Sequence, residues 1–331
     1  MNRRDLLKWL AAFGIGSGSN LFSGGNLFGS SGSNPIFAGW IDDPKAREKF
    51  IANNKYPFLS QLNGNIRGTG KGKTVLLYKY LEQVMGHSLI PHDQAIGDCC
   101  GHGFGISVDV LTAVRIAMQL CPEKWIAKSA TEIIYGGSRV EIGGGLRGDG
   151  STGSWCADFL RKYGVLLRLK YLDKYDYTNY SGQVARELGA RGVPDALEPI
   201  CKAHPVKTTT LVRSYEECRD AIANGYPVAM CSNVGFNSVR DAEGFLHRIR
   251  KPWYHCMAIL GVDDGYRRPG CLVQNSWGPG WVTGPTRHEQ PAGSFWVDAK
   301  IIDTAMKQGD SYALSDYVGY PRHDLPDYNL W

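Results

Sequence analysis

The chain has 331 residues, 43% hydrophobic and 21% charged, with a formal net charge of +5. That composition suits a folded protein with one large or two modest cores and excludes a disordered chain, a coiled coil, a collagen or a polytopic membrane protein. The basic residues are scattered, so nucleic acid is not an expected partner, and nine cysteines, an odd number, leave at least one thiol without a partner in the chain.

Asn2-Arg3-Arg4-Asp5-Leu6-Leu7-Lys8 leads into the mildly apolar run Trp9–Ile15. An arginine pair before a short apolar run is similar to a twin-arginine export signal, and the run is too short to span a bilayer. No clean cleavage motif follows; the small residues near Phe37-Ala38-Gly39 come nearest to one. The alternative is an amphipathic arm that stays attached, which would leave the protein cytoplasmic. Residues 16–39 are rich in Gly, Ser and Asn and read as a linker. Asp43–Asn54 reads as a short polar helix. Arg67–Thr74 resembles a phosphate loop only superficially, because the first glycine of that motif would fall on Arg67; it reads as a solvated turn.

From about residue 90 the texture changes. Ile106, Val110, Ala113, Val114, Ala117 and Leu120 recur at helical spacing and predict a long buried helix over 100–121. A Gly-rich stretch at 143–154 precedes a second helix, Trp155–Tyr163, closed by Gly164. A third helix, Tyr215–Asn224, closes at Gly225. Strand-like segments then follow at 227–231, 255–262, 271–274 and 294–297. Helices first and strands later predict an α+β fold of two lobes, with a site in the cleft between them.

Three segments could carry chemistry. Gln94-Ala95-Ile96-Gly97-Asp98-Cys99-Cys100-Gly101 runs into the long helix, and a thiol at a helix N-terminus meets unpaired N–H groups that favour thiolate. Gly101, Gly103 and Gly105 are poor helix formers, so close approach by another segment is expected there. His255 begins an apolar strand and alone would read as a buried core histidine. Asn275, in Asn275-Ser276-Trp277-Gly278-Pro279-Gly280-Trp281, could orient an imidazole on a neighbouring strand.

Together these segments resemble the papain-like cysteine peptidases, whose order is Gln, Cys, His, Asn; the stretch 275–281 is the most specific match. The resemblance covers roughly residues 90–305. It implies a papain-like two-lobed fold, a helical lobe plus an antiparallel β-barrel-like lobe with the active-site cleft between them. It also implies hydrolysis of peptide bonds with Cys99 as nucleophile, His255 as base, Asn275 orienting His255, and Gln94 as oxyanion donor. Gly150 would bind an extended substrate and Trp277 would shield the His255–Asn275 contact. No metal or organic cofactor is implied, and a peptide or protein substrate is the expected partner. The familiar Cys-Gly-Ser-Cys-Trp is replaced by Cys99-Cys100-Gly101-His102. Counting from Gln94 favours Cys100 as nucleophile, whereas the Gly-polar-Cys turn favours Cys99, the preferred assignment. A long inhibitory pro-segment is not evident, and a short or absent one is expected. The corresponding division is 1–40 signal-like segment and linker, 41–89 extension or short pro-segment, 90–310 catalytic domain and 311–331 tail. Rival readings are a papain-fold binding or structural module, an amidase or acyltransferase using the same thiol, and a metal site on Cys99, Cys100, His102, His255 and Cys256. Adjacent cysteines and a helical Cys-x-x-His are poor zinc geometry.

Overall fold

A computed structural model of the protein describes residues 38–204 and 206–330. The signal-like residues 2–15 and most of the Gly/Ser stretch lie outside them.

The elements expected from patterning form close to where it places them. Asp43 caps helix α1 (Pro44–Asn53), its carboxylate accepting from the Lys45 and Ala46 N–H groups. Strand β1 (Thr74–Leu76) and helix α2 (Tyr78–Met85) follow the glycine-rich turn at 67–73. The long helix is α3 (Cys99–Ala117), buried along nearly its whole length. Helices α4 (Thr131–Gly137), α5 (Gly153–Lys162) and α6 (Gly182–Arg191) build the rest of the first lobe. Thr152 and Ser181 cap α5 and α6 through their hydroxyls. Gly164 ends α5 at φ +82°, which a side chain would oppose.

The second lobe is an antiparallel sheet. Its strands are β1, β2 (Thr208–Leu211), β3 (Val228–Ser232), β4 (His255–Asp263), β5 (Gly270–Gln274), β6 (Ser294–Asp298) and β7 (Tyr312–Ser315). Their order is β6-β5-β4-β3-β7-β2, with β1 also pairing with β4. All of these pairings are antiparallel, and β4 sits at the centre, with every one of its residues buried. The expected barrel-like closure does not form: β6 and β2 are the two ends of an open sheet. Helices α7 (Tyr215–Ala223) and α8 (Ala299–Met306) pack on its flank. The α+β class holds, with one apolar core under the sheet and a smaller one inside the helical lobe around Phe159, Leu166, Tyr171 and Leu197.

Several elements are not legible in the patterning. Residues 41–89 contribute β1 to the central sheet, and Leu76, Leu77, Tyr78 and Leu81 to the same core as α3. Tyr312–Ser315, assigned to the tail, is strand β7 of that sheet, while the described residues past Tyr317 lie along the body, where the Asp327 carboxylate accepts from the Thr74 N–H at 2.9 Å.

The glycines of α3 find their reason in the close packing of α3 against β4 and α4. A Cβ on Gly103 would stand 2.6 Å from Cys256 Sγ, one on Gly101 2.6 Å from the Thr131 carbonyl oxygen, and one on Gly105 2.7 Å from Thr131 Cγ2. Helix, sheet and α4 are thus in backbone-level contact around the start of α3. Overpacking at such a seam costs about 1–3 kcal/mol. Gly103→Ala is therefore expected to destabilise the fold by about 2 kcal/mol in equilibrium urea unfolding. An unchanged midpoint would show that the seam has room the structure does not display.

Candidate active site

Cys99 is the first residue of α3, and His255 the first of β4. The close α3–β4 packing brings thiol and imidazole together at the seam between the lobes. Both side chains are fully buried. Burial pushes the Cys99 thiol well above its ordinary pKa and Cys100 adds to this, while the charge and hydrogen bonding of His255 pull it down.

On the other side of the ring, His255 Nε2 lies 2.7 Å from Asn275 Oδ1. That oxygen also accepts the Ser276 N–H at 2.7 Å. An amide oxygen can only accept, so Nε2 carries the proton in neutral His255, leaving Nδ1 as its basic nitrogen. Nδ1 is buried and is the ring nitrogen left to meet the Cys99 thiol. The ring of Trp277 stacks on the imidazole at 4.6 Å between centroids, backed by Trp253 at 4.7 Å and Trp281 at 5.4 Å from Trp277. This aromatic wall excludes water from the His255–Asn275 contact.

Gln94 joins the same network through Ser276, a residue that sequence reasoning passed over. Ser276 Oγ donates to Gln94 Oε1 at 2.6 Å, and the Gln94 N–H donates to the Ser276 carbonyl at 2.8 Å. The Gln94 Nε2 group donates one of its two N–H bonds to the Ile96 carbonyl at 2.9 Å. Tyr180 fastens the loop from outside, accepting from the Ala95 N–H at 3.0 Å and donating to Asp98 Oδ2 at 2.9 Å.

Cys100 meets the cleft wall and its occupant, its Sγ 4.0 Å from the Gly39 carbonyl. Its Sγ lies 3.3 Å from the Ser151 carbonyl and belongs to a group of buried thiols with Cys231 and Cys256. Gly150 and Trp277, the two expected substrate contacts, also lie at the cleft. The groups of Gly150 itself are engaged: its N–H donates to Tyr135 Oη at 3.1 Å and its carbonyl accepts from the buried Arg139 guanidinium. Arg139 also donates to the carbonyls of Leu146, Gly148 and Gly189, fixing the whole glycine-rich loop on the helical lobe. The backbone groups presented across the cleft belong to the next residue, Ser151.

The cleft is occupied by the chain's own residues 38–41. Ser151 N–H donates to the Gly39 carbonyl at 2.8 Å, and Ile41 N–H donates to the Ser151 carbonyl at 2.9 Å, a parallel pairing. From the opposite wall, the Tyr254 carbonyl accepts from both Gly39 N–H at 3.1 Å and Trp40 N–H at 3.0 Å. Tyr254 adopts φ +50°, a left-handed conformation unusual outside glycine, immediately before His255. The Trp40 side chain is buried, and its Nε1–H donates to Asp310 Oδ2 at 2.7 Å. Asp310 also accepts the Gly153 and Ser154 N–H groups at the start of α5, and the Tyr312 hydroxyl. Gly39 fits only because it lacks a side chain: a Cβ would stand 2.1 Å from the Gly97 carbonyl oxygen. A short occluding strand is thus present, although no long pro-segment is evident in the sequence.

No family model matches this chain, and no curated protein does at the sequence level. Solved structures do. Xylellain, a cysteine protease from Xylella fastidiosa, superposes with a TM-score of 0.56 at 18% identity, over 85% of this chain and 96% of that one. Procathepsin B S9 from Trypanosoma congolense is also similar, with a TM-score of 0.46 at 10% identity over 87% of each chain. No helix among the described residues is long and apolar enough to cross a membrane. The xylellain likeness, together with the open antiparallel sheet, the helical lobe and the cleft between them, identifies the fold of this chain as the papain-like α+β fold of cysteine proteases.

Proposed function

We propose that the protein is a cysteine peptidase, with Cys99 as nucleophile, His255 as general base, Asn275 orienting His255 and Gln94 assisting at the oxyanion. The observation that carries a peptide substrate is the cleft's present occupant: backbone groups of Ser151 and Tyr254 already hold an extended peptide, residues 39–41 of the chain itself. In the proposed cycle His255 Nδ1 takes the Cys99 thiol proton and the sulfur attacks the scissile carbonyl carbon. The oxyanion is met by the Gln94 side-chain amide and the Cys99 N–H. Collapse of this intermediate expels the amine, which takes the proton from His255. Water then attacks the thioester, giving up a proton to His255, and releases the acid and the regenerated thiol. Trp277 and Asn275 keep the imidazole in one orientation throughout.

The same occupant supports a resting state that must open before substrate enters. Gly39→Ala, which puts a methyl against the Gly97 carbonyl, is expected to unseat residues 38–41 while leaving the catalytic groups in place. An epoxysuccinyl electrophile read by intact mass tests both points. Gly39→Ala should take up one adduct at least tenfold faster than wild type. The adduct should vanish in Gly39→Ala/Cys99→Ala, persist with Cys100→Ala, and form about a hundredfold more slowly with His255→Ala, the usual scale of a lost general base. No adduct in either wild type or Gly39→Ala would remove the peptidase reading and favour a binding module. An adduct without cleavage of a mixed peptide library would favour an amidase or acyltransferase.

Occlusion should also depend on pH. Burial pushes the Asp310 carboxyl up to about 6, with donation from Trp40 and the α5 N-terminus opposing it. The seated Trp40 side chain helps to bury that carboxyl, and burial is the larger effect, so release of the strand returns Asp310 toward the ordinary carboxylate range and proton binding favours the seated strand. That stabilisation is present in acid and is lost as pH rises through about 6. Hydrogen exchange at the Trp40 and Ile41 amides, corrected for its intrinsic rate, should slow between about pH 7 and pH 5 in wild type. It should lose that step in Asp310→Asn. A pH-independent rate in wild type would show that Asp310 does not govern release.

A further inference from the structure

Behind the catalytic seam lies a second sulfur-rich site that the peptidase chemistry does not use. Cys100 is the second residue of α3, Cys231 is on β3 and Cys256 on β4. Cys231 and Cys256 are directly opposed in the antiparallel pairing of β3 with β4. The three Sγ atoms lie within 4.8 Å of one another, and all three residues are fully buried. Gly103 leaves the space that Cys256 Sγ fills. A fourth buried thiol, Cys156 on α5, interacts with Cys100.

Three thiols from three elements converging on one point, with no water access, is the donor set of a closed structural metal site. A core that needed only small apolar side chains could use Ala or Val here, and the flanking positions Ala229, Ala258 and Val228 show that it does so elsewhere on these strands. We propose that Cys100, Cys231 and Cys256 bind one thiophilic d10 metal ion, copper(I) with three sulfurs or zinc with Cys156 drawn in as the fourth. Each coordinated sulfur releases its proton to solvent and no electron is transferred. The thiolates' excess negative charge sits at the N-terminus of the 19-residue α3, whose free N–H groups and dipole favour it. Bound there, the ion would tie α3 to β3 and β4 directly behind Cys99 and His255.

This site is independent of whether the cleft cleaves peptides, and its test avoids activity altogether. Full-length Cys99→Ser protein, which lacks the nucleophilic thiol, is reduced, stripped of metal and titrated separately with zinc chloride and with copper(I) acetonitrile complex under argon. One equivalent should survive gel filtration, with sulfur-to-metal charge-transfer absorption in the ultraviolet and a raised Tm. Cys231→Ser and Cys256→Ser should abolish retention of both ions, whereas Cys121→Ser and Cys201→Ser, outside the cluster, should not. Loss of zinc but not copper(I) in Cys156→Ser would assign three-coordinate copper(I) and four-coordinate zinc. Should the cluster variants fail to fold, alkylation of unmutated protein supplies the answer: under mild denaturant, bound metal should protect Cys100, Cys231 and Cys256 and leave Cys121 and Cys201 reactive. Retention of neither ion, or retention and protection indifferent to these three residues, overturns the proposal.

Discussion

The approach of the α3 N-terminus to strand β4 is the constraint on which the rest depends. Gly101, Gly103 and Gly105 cost roughly 1 kcal/mol each in helix propensity relative to alanine, yet each faces a neighbour that a methyl group would strike. Gly103 is the one that faces the sheet, and a side chain there would push the helix off β4 and carry Cys99 away from His255, whereas Gly101 and Gly105 admit α4. Because one element supplies the thiol and the other the imidazole, the distance between the lobes at this seam also sets the distance between Cys99 and His255.

Around that seam the polar groups are organised so that each holds another. Asn275 is fixed by the Ser276 N–H and in turn fixes His255. Ser276 reaches across to Gln94, so the loop before Cys99 is tied to the strand end bearing Asn275. Arg139 does the same for the opposite wall, binding four carbonyls so that Ser151 stands rigidly beside the cleft. A buried guanidinium satisfied by four acceptors is costly to disturb, because every broken contact leaves a desolvated group unpaired. The pre-organised walls explain how residues 38–41 can occupy the cleft in a defined register. They add little order of their own; they read out order already present.

Occupancy and buried ionisation are coupled in this structure. With residues 38–41 seated, Cys99 and His255 are sealed from water, and burial favours the neutral thiol over the charged pair. Opening the cleft would rehydrate both groups and shift that balance toward thiolate and imidazolium. The carboxylate beneath Trp40 is similarly held at the expense of burial, by donors from three separate parts of the chain. The local chemistry therefore responds to whether the strand is in place.

Much of this is legible in the order and spacing of the residues alone. The helical period after residue 100 and the run of strands after 227 specify two lobes. Gln94, Cys99, His255 and Asn275 stand out because their residue types and order match a known chemistry. Local signals suffice there, because amphipathic period and helix-start chemistry are properties of contiguous residues. What the sequence by itself does not determine is what depends on distant segments meeting. It leaves Cys99 and Cys100 as alternatives; one helical step separates them, and only the packing of α3 turns one toward His255 and the other into the core. It does not reveal that Ser276 links Asn275 to Gln94, that β1 joins the central sheet, or that the sheet stays open. Nor can a stretch as plain as Ala38-Gly39-Trp40-Ile41 announce where it lies. Its place is set by Ser151, Tyr254, Gly97 and Asp310, four positions scattered over the chain that become neighbours only when the two lobes close on each other.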